Sequence, residues 1–232
     1  MTSQPAPFVI AVDGPSGSGK SSVSRAVATQ LGAGYLDTGA MYRALTWWCL
    51  HERVDLGDRD AIAAAALGLP LEIGELPHAP TVRVAGTDVD EAIRTSEISG
   101  LVSTVATVPA VRAEMQRRQR ELIADIATRH GSVVAEGRDI TTVVAPEAPV
   151  RILLTASEEA RLRRRSLEVH GVSDEAALDA TRDQVLRRDR DDSTVSQFTV
   201  AAEGVTLVDT SDLDFDGSVA AVMSVVRAAR ER

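Results

Sequence analysis

Hydrophobic and polar positions along the chain fall into short blocks that switch between strand and helix spacing. Phe8-Val9-Ile10-Ala11-Val12 is a β-branched run that predicts a buried strand, bounded by a Gly- and Ser-rich stretch from Asp13. Ser21 to Leu31 carries Val23, Ala26, Val27 and Leu31 at helical spacing, with Gly32 and Gly34 as its stop. Tyr35-Leu36 predicts a stub of strand, and Ala40 to His51 a second helix with Met41, Leu45 and Trp48 on one face.

The character changes from Asp58 to about Ser103, where Pro70, Pro77 and Pro80 break the periodicity and Val82 to Val89 alternates like a small hairpin. This segment reads as an insertion between core elements, and its Ala61 to Ala66 run as plain helix. Helical spacing returns from Pro109 to about Arg129. Ser132 to Ala135 and Val150 to Leu154 predict two more buried strands. Ser157 caps an arginine-rich helix, Ser173 with Asp174 and Glu175 starts another, and Val205 to Val208 gives a last strand before a helix from about Asp216. Strands alternating with helices imply an α/β fold, a parallel sheet with helices on both faces.

Composition narrows the class. Across 232 residues, 44% hydrophobic and 25% charged residues describe a globular chain. No apolar run approaches the roughly 20 residues that a bilayer requires. The first residues lack a basic start and an apolar core, so no secretory signal is expected. Cys49 is the sole cysteine, which excludes an internal disulfide and a Cys/His metal cluster and makes the cytoplasm the expected compartment. A net charge of −9 argues against nucleic acid as a partner. Of the 25 basic residues only Lys20 is a lysine, the compact point charge that a planar guanidinium cannot replace.

Lys20 stands inside Gly14-Pro15-Ser16-Gly17-Ser18-Gly19-Lys20-Ser21, which matches the phosphate-loop pattern G-x-x-x-x-G-K-[ST] between a predicted strand and a predicted helix. Such a loop turns backbone N–H groups onto phosphates, with the lysine on the outer phosphates and the Ser21 hydroxyl offered to Mg²⁺. The loop alone leaves switch GTPases, motor ATPases and small-molecule kinases open. With no asparagine and no second lysine, a guanine-reading Asn-Lys-x-Asp element is impossible, which argues against a GTPase.

Arg161, Arg164 and Arg165 share a helix face, where like charges at this spacing cost a few tenths of a kcal/mol per pair unless an anion offsets them. Arg187-Arg188-Asp189-Arg190-Asp191-Asp192 alternates in sign, as a solvated helix surface does and as a phosphoryl-neutralising element could. Arg43 in Leu36-Asp37-Thr38-Gly39-Ala40-Met41-Tyr42-Arg43 and Arg138 in Glu136-Gly137-Arg138-Asp139 both follow strands, at the sheet edge where α/β folds bind ligands. Each is equally readable as an ordinary edge salt bridge.

Taken in order with Ile93-Arg94-Thr95, Val111-Arg112, Gln116-Arg117-Arg118-Gln119-Arg120 and Arg188-Asp189-Arg190-Asp191-Asp192-Ser193-Thr194, these motifs resemble the bacterial cytidylate kinases from about residue 8 to 226. The resemblance implies transfer of the γ-phosphoryl group of ATP, as its Mg²⁺ complex, to CMP or dCMP in pyrimidine nucleotide metabolism. It implies ATP held by Gly14, Pro15, Ser16, Gly17, Ser18, Gly19, Lys20, Ser21 and Ser22, and catalytic cations Lys20, Arg161, Arg165 and Arg188. It places Thr38, Arg43, Ser103, Arg112, Arg138, Asp139, Arg188 and Asp192 around the monophosphate.

Within that set, the Asp139 carboxylate can accept from the cytosine amino group, while Arg112 and Ser103 can donate to ring acceptors. Arg43 and Arg138 would hold the acceptor phosphate, and Arg188 with Asp192 the ribose. The resemblance also implies an ATP-binding core at 1–57, 104–156 and 203–232, a monophosphate-binding insertion at 58–103 and a mobile lid at 157–202. After Thr194, many of the family continue with an arginine and Ala-Pro-Leu, whereas this chain has Val195-Ser196-Gln197-Phe198-Thr199, so one cation near the phosphates is missing.

Two other readings remain: a phosphate-loop kinase of another small acceptor such as UMP, AMP or shikimate, and a non-catalytic nucleotide-binding regulator. A monomer is expected, with Trp47-Trp48 as core aromatics on a helix face.

Overall fold

The computed structural model describes residues 7–172 and 174–231. Ser173 and the side chain of Arg188 lie outside the described residues. In chain order the elements are β1 (Phe8–Asp13), α1 (Lys20–Leu31), β2 (Gly34–Asp37), α2 (Thr38–His51), α3 (Arg59–Leu67), β3 (Leu71–Ile73), β4 (Val82–Val84) and β5 (Thr87–Asp88). Then come α4 (Ser96–Ala106), α5 (Pro109–His130), β6 (Ser132–Gly137), β7 (Val150–Thr155), α6 (Glu158–His170), α7 (Glu175–Ser193), β8 (Thr206–Asp209) and α8 (Phe215–Arg230).

The main sheet has the order β2-β6-β1-β7-β8, with every pairing parallel, so all five carboxyl ends open on one edge. Strand pleat sorts the core into two layers, because successive side chains point to opposite faces. Ile10, Val12, Val134, Ile152 and Leu154 pack with Val23 and Val27 of α1 and Val219, Val222 and Val226 of α8. Ala11, Leu36, Val133 and Ala135 point the other way, onto Met41 and Leu45 of α2 and Val111, Met115 and Ile123 of α5. Burying each Val, Leu or Ile side chain contributes about 1.5–3 kcal/mol. These layers therefore fix the sheet and, with it, the edge that carries the loops.

The expected stop of α1 holds at Gly32, and α5, expected to about Arg129, ends one residue later against Gly131. The expected hairpin is β4–β5, and β3 adds to it in a second, antiparallel sheet. This small sheet does not stand apart. Val82 and Val84 share the α2/α5 core layer with Ile62 of α3 and Ile93. The boundary expected at Ser103 falls inside α4, a helix that the sequence pattern does not reveal. Trp47 and Trp48 are half-buried against the same layer and stack on His51.

Candidate active site

Residues 14–19 turn from the end of β1 into α1. Two glycines there answer to close packing. A Cβ on Gly14 would stand 2.1 Å from the Leu154 carbonyl oxygen, and one on Gly17, at φ +75°, 2.5 Å from the Arg161 carbonyl oxygen. No side chain caps the start of α1, so the positive end of its macrodipole and its first N–H groups face the loop. Lys20 Nζ lies 3.6 Å from Glu136 Oε2, and Tyr35 donates to Glu136 Oε1 at 2.7 Å. Burial first, then the charges of Glu136 and Asp37, hold the Tyr35 phenol well above its ordinary range, so it is a donor at any working pH. Ser21 and Ser22 are exposed on the first turn of α1.

Asp13 ends β1 and is buried. It accepts from Ile140 N (2.9 Å), Thr141 N (2.8 Å) and Thr141 Oγ1 (2.6 Å), tying the loop's root to the turn that follows β6. Burial raises its carboxyl above the ordinary value, against the pull of those hydrogen bonds.

That turn presents Arg138 and Asp139. Asp139 Oδ2 accepts from Arg112 Nη2 at 2.6 Å and from Gln116 Nε2 at 2.9 Å, both on α5. Arg112 also donates to Ser196 Oγ at 3.0 Å. Thr38, Arg112, Arg138, Asp139 and Asp192 line one open pocket, and Tyr42 and Ser196 line it with them. Five of the eight expected monophosphate residues thus converge.

Of the others, Ser103 donates at 3.3 Å to Oδ1 of Asp192, which lines the same pocket as Arg112 and Asp139. Arg43 does not line the cavity. It pairs with Asp37 at 2.9 Å, the edge salt bridge that the sequence left open. Burial alone would raise the Asp37 carboxyl, but Arg43, the Ala40 N–H, Arg94 and Lys20 hold it below its ordinary value. A second open pocket is lined by Ser21, Asp37, Arg25 and Arg94.

The arginines of α6 divide. Arg161 donates to the Ser16 carbonyl at 2.9 Å and pairs with Asp189 of α7. Arg164 donates to Thr210 O at 2.6 Å and to the Leu213 and Ser18 carbonyls, so it fastens α6 to the neighbouring loops; burial, then the charge of Arg163, lowers its pKa. Arg165 lies one residue beyond it on the same helix. The alternating run of α7 is not a uniformly solvated face: Arg187 and Arg190 are exposed, while Asp189 and Asp192 both bond Arg138, each at 3.2 Å. Arg138 also donates to the Gly14 carbonyl and lies 4.5 Å over the ring of Phe198.

Sequence reasoning missed Asp13, Gln116, Glu136, Asp189, Ser196 and Phe198. The first and third had a visible signal, a carboxylate at the end of a predicted buried strand. Asp189 had none beyond its place three residues before Asp192.

Among the described residues no group of three or more His, Cys, Asp or Glu could hold a metal ion, and no helix is long and apolar enough to cross a membrane. A model of the cytidylate kinase family matches residues 10–228. A protein named cytidylate kinase from Streptomyces avermitilis is 45% identical over 223 residues, 96% of this chain and 94% of that one. Another of that name, from Rhodococcus opacus, is 49% identical over 94% of each chain. A crystal structure of an uncharacterized protein from Eubacterium ventriosum superimposes with a TM-score of 0.51 at 12% identity over 97% of this chain and 99% of that one, a likeness of fold alone. The parallel sheet, the phosphate loop and this match over nearly the whole chain agree: the chain belongs to the cytidylate kinase family.

Proposed function

We propose that the protein transfers the γ-phosphoryl group of ATP to CMP or dCMP, giving ADP and CDP or dCDP. The observation that carries the choice of base is the Asp139 carboxylate at the cavity wall, held on Oδ2 by Arg112 and Gln116. Oδ1 takes no hydrogen bond found among the described residues and can accept from the 4-amino group of cytosine. Uracil carries a carbonyl there, and the carboxylate would face it unpaired, a loss that protein sites use for strong discrimination.

Residues 14–22 bind the triphosphate through backbone N–H groups, with Lys20 on the outer phosphates. Mg²⁺, as part of MgATP, fits the exposed Ser21 hydroxyl at the first turn of α1, and it supplies charge neutralisation of the polyphosphate when bound. An oxygen of the acceptor phosphate attacks the γ-phosphorus as the bond to the bridging oxygen of ADP breaks. The acceptor phosphate already carries its nucleophile, so no general base is required, and positioning and charge stabilisation do the work.

Arg138, at the pocket wall, meets the acceptor phosphate, with Arg43 as its second cation once it exchanges Asp37 for that phosphate. Arg161, Arg165 and Arg188 neutralise the transferring group, Ser103 with Arg112 donates to the base, and Asp192 with Arg188 meets the ribose. Residues 58–103 are the monophosphate-binding segment and 157–202 the lid that excludes water on closing. The proposed compartment is the cytoplasm, with which the free, buried Cys49 agrees, and a monomer is the proposed state.

The test is ADP release by purified protein with MgATP, offered CMP, dCMP, UMP, AMP and shikimate separately. Turnover with CMP and dCMP, with UMP far behind, is the expected result. Equal rates on UMP break the role given to Asp139, and silence on every acceptor returns the regulator reading.

A further inference from the structure

Asp189 joins three parts of the molecule. From α7 its carboxylate accepts from the backbone N–H of Ser16 in the phosphate loop at 3.0 Å, from Arg138 Nη2 at 3.2 Å and from Arg161 Nη1 on α6. The two guanidinium groups are anchored to the loop as well, Arg161 on the Ser16 carbonyl and Arg138 on the Gly14 carbonyl. The Asp189, Arg138 and Arg161 side chains are only 12%, 16% and 12% exposed, so salt screens the cluster little.

A phosphate-loop N–H and two arginines are also the donors with which a protein holds a phosphoryl group. A second anion brought to the Ser16 N–H would stand within a few ångströms of the Asp189 carboxylate, in a place where like charges repel strongly. The two anions cannot share these donors.

We propose that Asp189 is a positioning residue that competes with the polyphosphate of ATP for the Ser16 N–H and Arg161, holding Arg138 and Arg161 against the phosphate loop as their counter-ion until ATP takes Arg161 and the acceptor phosphate takes Arg138. Both arginines are then pre-aligned by one anion and handed to the phosphates that replace it. The cost is weaker ATP binding, and the gain is a pair of cations already in place for transfer. The proposal rests on the reading of residues 14–22 as a triphosphate site and is independent of which acceptor is used.

The experiment titrates MgATP and inorganic tripolyphosphate calorimetrically, without acceptor, into the wild-type protein, Asp189→Asn and Asp189→Ala, and then measures steady-state transfer. Asp189→Asn keeps the size and one acceptor while removing the charge. Both variants are expected to bind both probes about tenfold tighter, the factor that corresponds to about 1.4 kcal/mol. In turnover, KM for ATP and kcat are expected to fall together, the second because Arg138 and Arg161 lose their alignment. A purely structural contact would do the reverse, since a loosened α6–α7 pair weakens ATP binding. Unchanged or weaker binding of both probes by Asp189→Asn overturns the proposal. Wild-type protein that binds neither probe overturns the triphosphate reading itself and the proposal with it.

Discussion

Arg112 and Asp139, on different elements, meet at 2.6 Å at the wall of the pocket that Thr38, Arg138 and Asp192 also line, and Gln116 bonds the same carboxylate oxygen. Both side chains are largely withdrawn from water, 15% and 6% exposed, so the pair is pre-oriented before any base arrives. A carboxylate aimed in this way reads the donor pattern of a base, and an amide in its place reverses half of that pattern.

Asp139→Asn is therefore expected to reduce kcat/KM for CMP by about 100-fold, the upper range for one unmet buried hydrogen bond to a charged group. The amide can donate to the uracil carbonyl, so the CMP-to-UMP ratio should narrow by more than activity on UMP falls. Competition between the two acceptors in one reaction measures that ratio directly, and an unchanged ratio removes Asp139 from base reading.

Lys20 stands 3.6 Å from Glu136, which is itself fixed by the Tyr35 hydroxyl. The ammonium thus rests on a buried, hydrogen-bonded carboxylate at the mouth of the loop. Lys20→Arg keeps the charge but brings a longer, planar group that the compact site cannot align. Loss of one preorganised charge-stabilising donor costs about 10²–10³ in kcat, and a drop of that order is expected with the thermal unfolding midpoint unchanged. Single-turnover transfer would show whether the loss lies in the chemical step.

The phosphate loop and its flanking strand and helix were legible because all of their determinants are contiguous: a β-branched run, glycines, one lysine, then helical spacing. The cavity was legible only through motif resemblance. Its walls join Arg112 to Asp139 and to Ser196, partners 27 and 84 positions apart, and no local periodicity encodes such distances. Helix α4 stayed hidden because Gly100, several serines and β-branched residues weaken its intrinsic propensity. It forms nonetheless, capped by Thr95, whose side chain accepts from Ile98 N at 3.4 Å, with Val102 and Val105 buried in the α2/α5 layer. Asp189 was masked by alternating charges that read as solvated, since sequence alone does not tell which carboxylates of such a run face inward.

Glu114 offers a test of how the inserted segment is held. It binds Arg117 at 2.8 Å and Arg118 at 2.6 Å, and Arg118 reaches the carbonyls of Ala66, Leu67 and Leu69 at the end of α3. The hydrogen bond from Arg117, opposed by burial and assisted by Arg118, holds the Glu114 carboxyl down at about 2 instead of 4.5. A carboxyl lowered on folding stabilises the native state above its unfolded value, and that contribution fades as pH falls from about 4.5 towards 2. Glu114→Gln is expected to cost about 1 kcal/mol at neutral pH, about 2–4 °C in Tm for a chain of this size. The gap between variant and wild type should close as the pH approaches 2, and a gap that persists there would assign the loss to packing instead.

Phe198 occupies the stretch where this chain departs from the arginine and Ala-Pro-Leu of many of the family, and among the described residues it is the largest of the fully buried side chains. Arg138 lies 4.5 Å over its ring while pairing with Asp189 and Asp192. The ring adds a cation–π contact to the guanidinium that the carboxylates pair, and such contacts contribute about 0.5–2 kcal/mol when partly desolvated. Phe198→Leu keeps an apolar side chain but removes the π face. The loosened Arg138 should raise KM for CMP several-fold with little change in KM for ATP, because the loop's own N–H groups and Lys20 are untouched. Phe198→Tyr keeps the ring and should restore KM for CMP wherever its hydroxyl is accommodated. If Phe198→Leu instead raises both KM values equally and lowers Tm alongside, Phe198 is a packing residue for the α6–α7 pair and the aromatic contact to Arg138 has no part in acceptor binding.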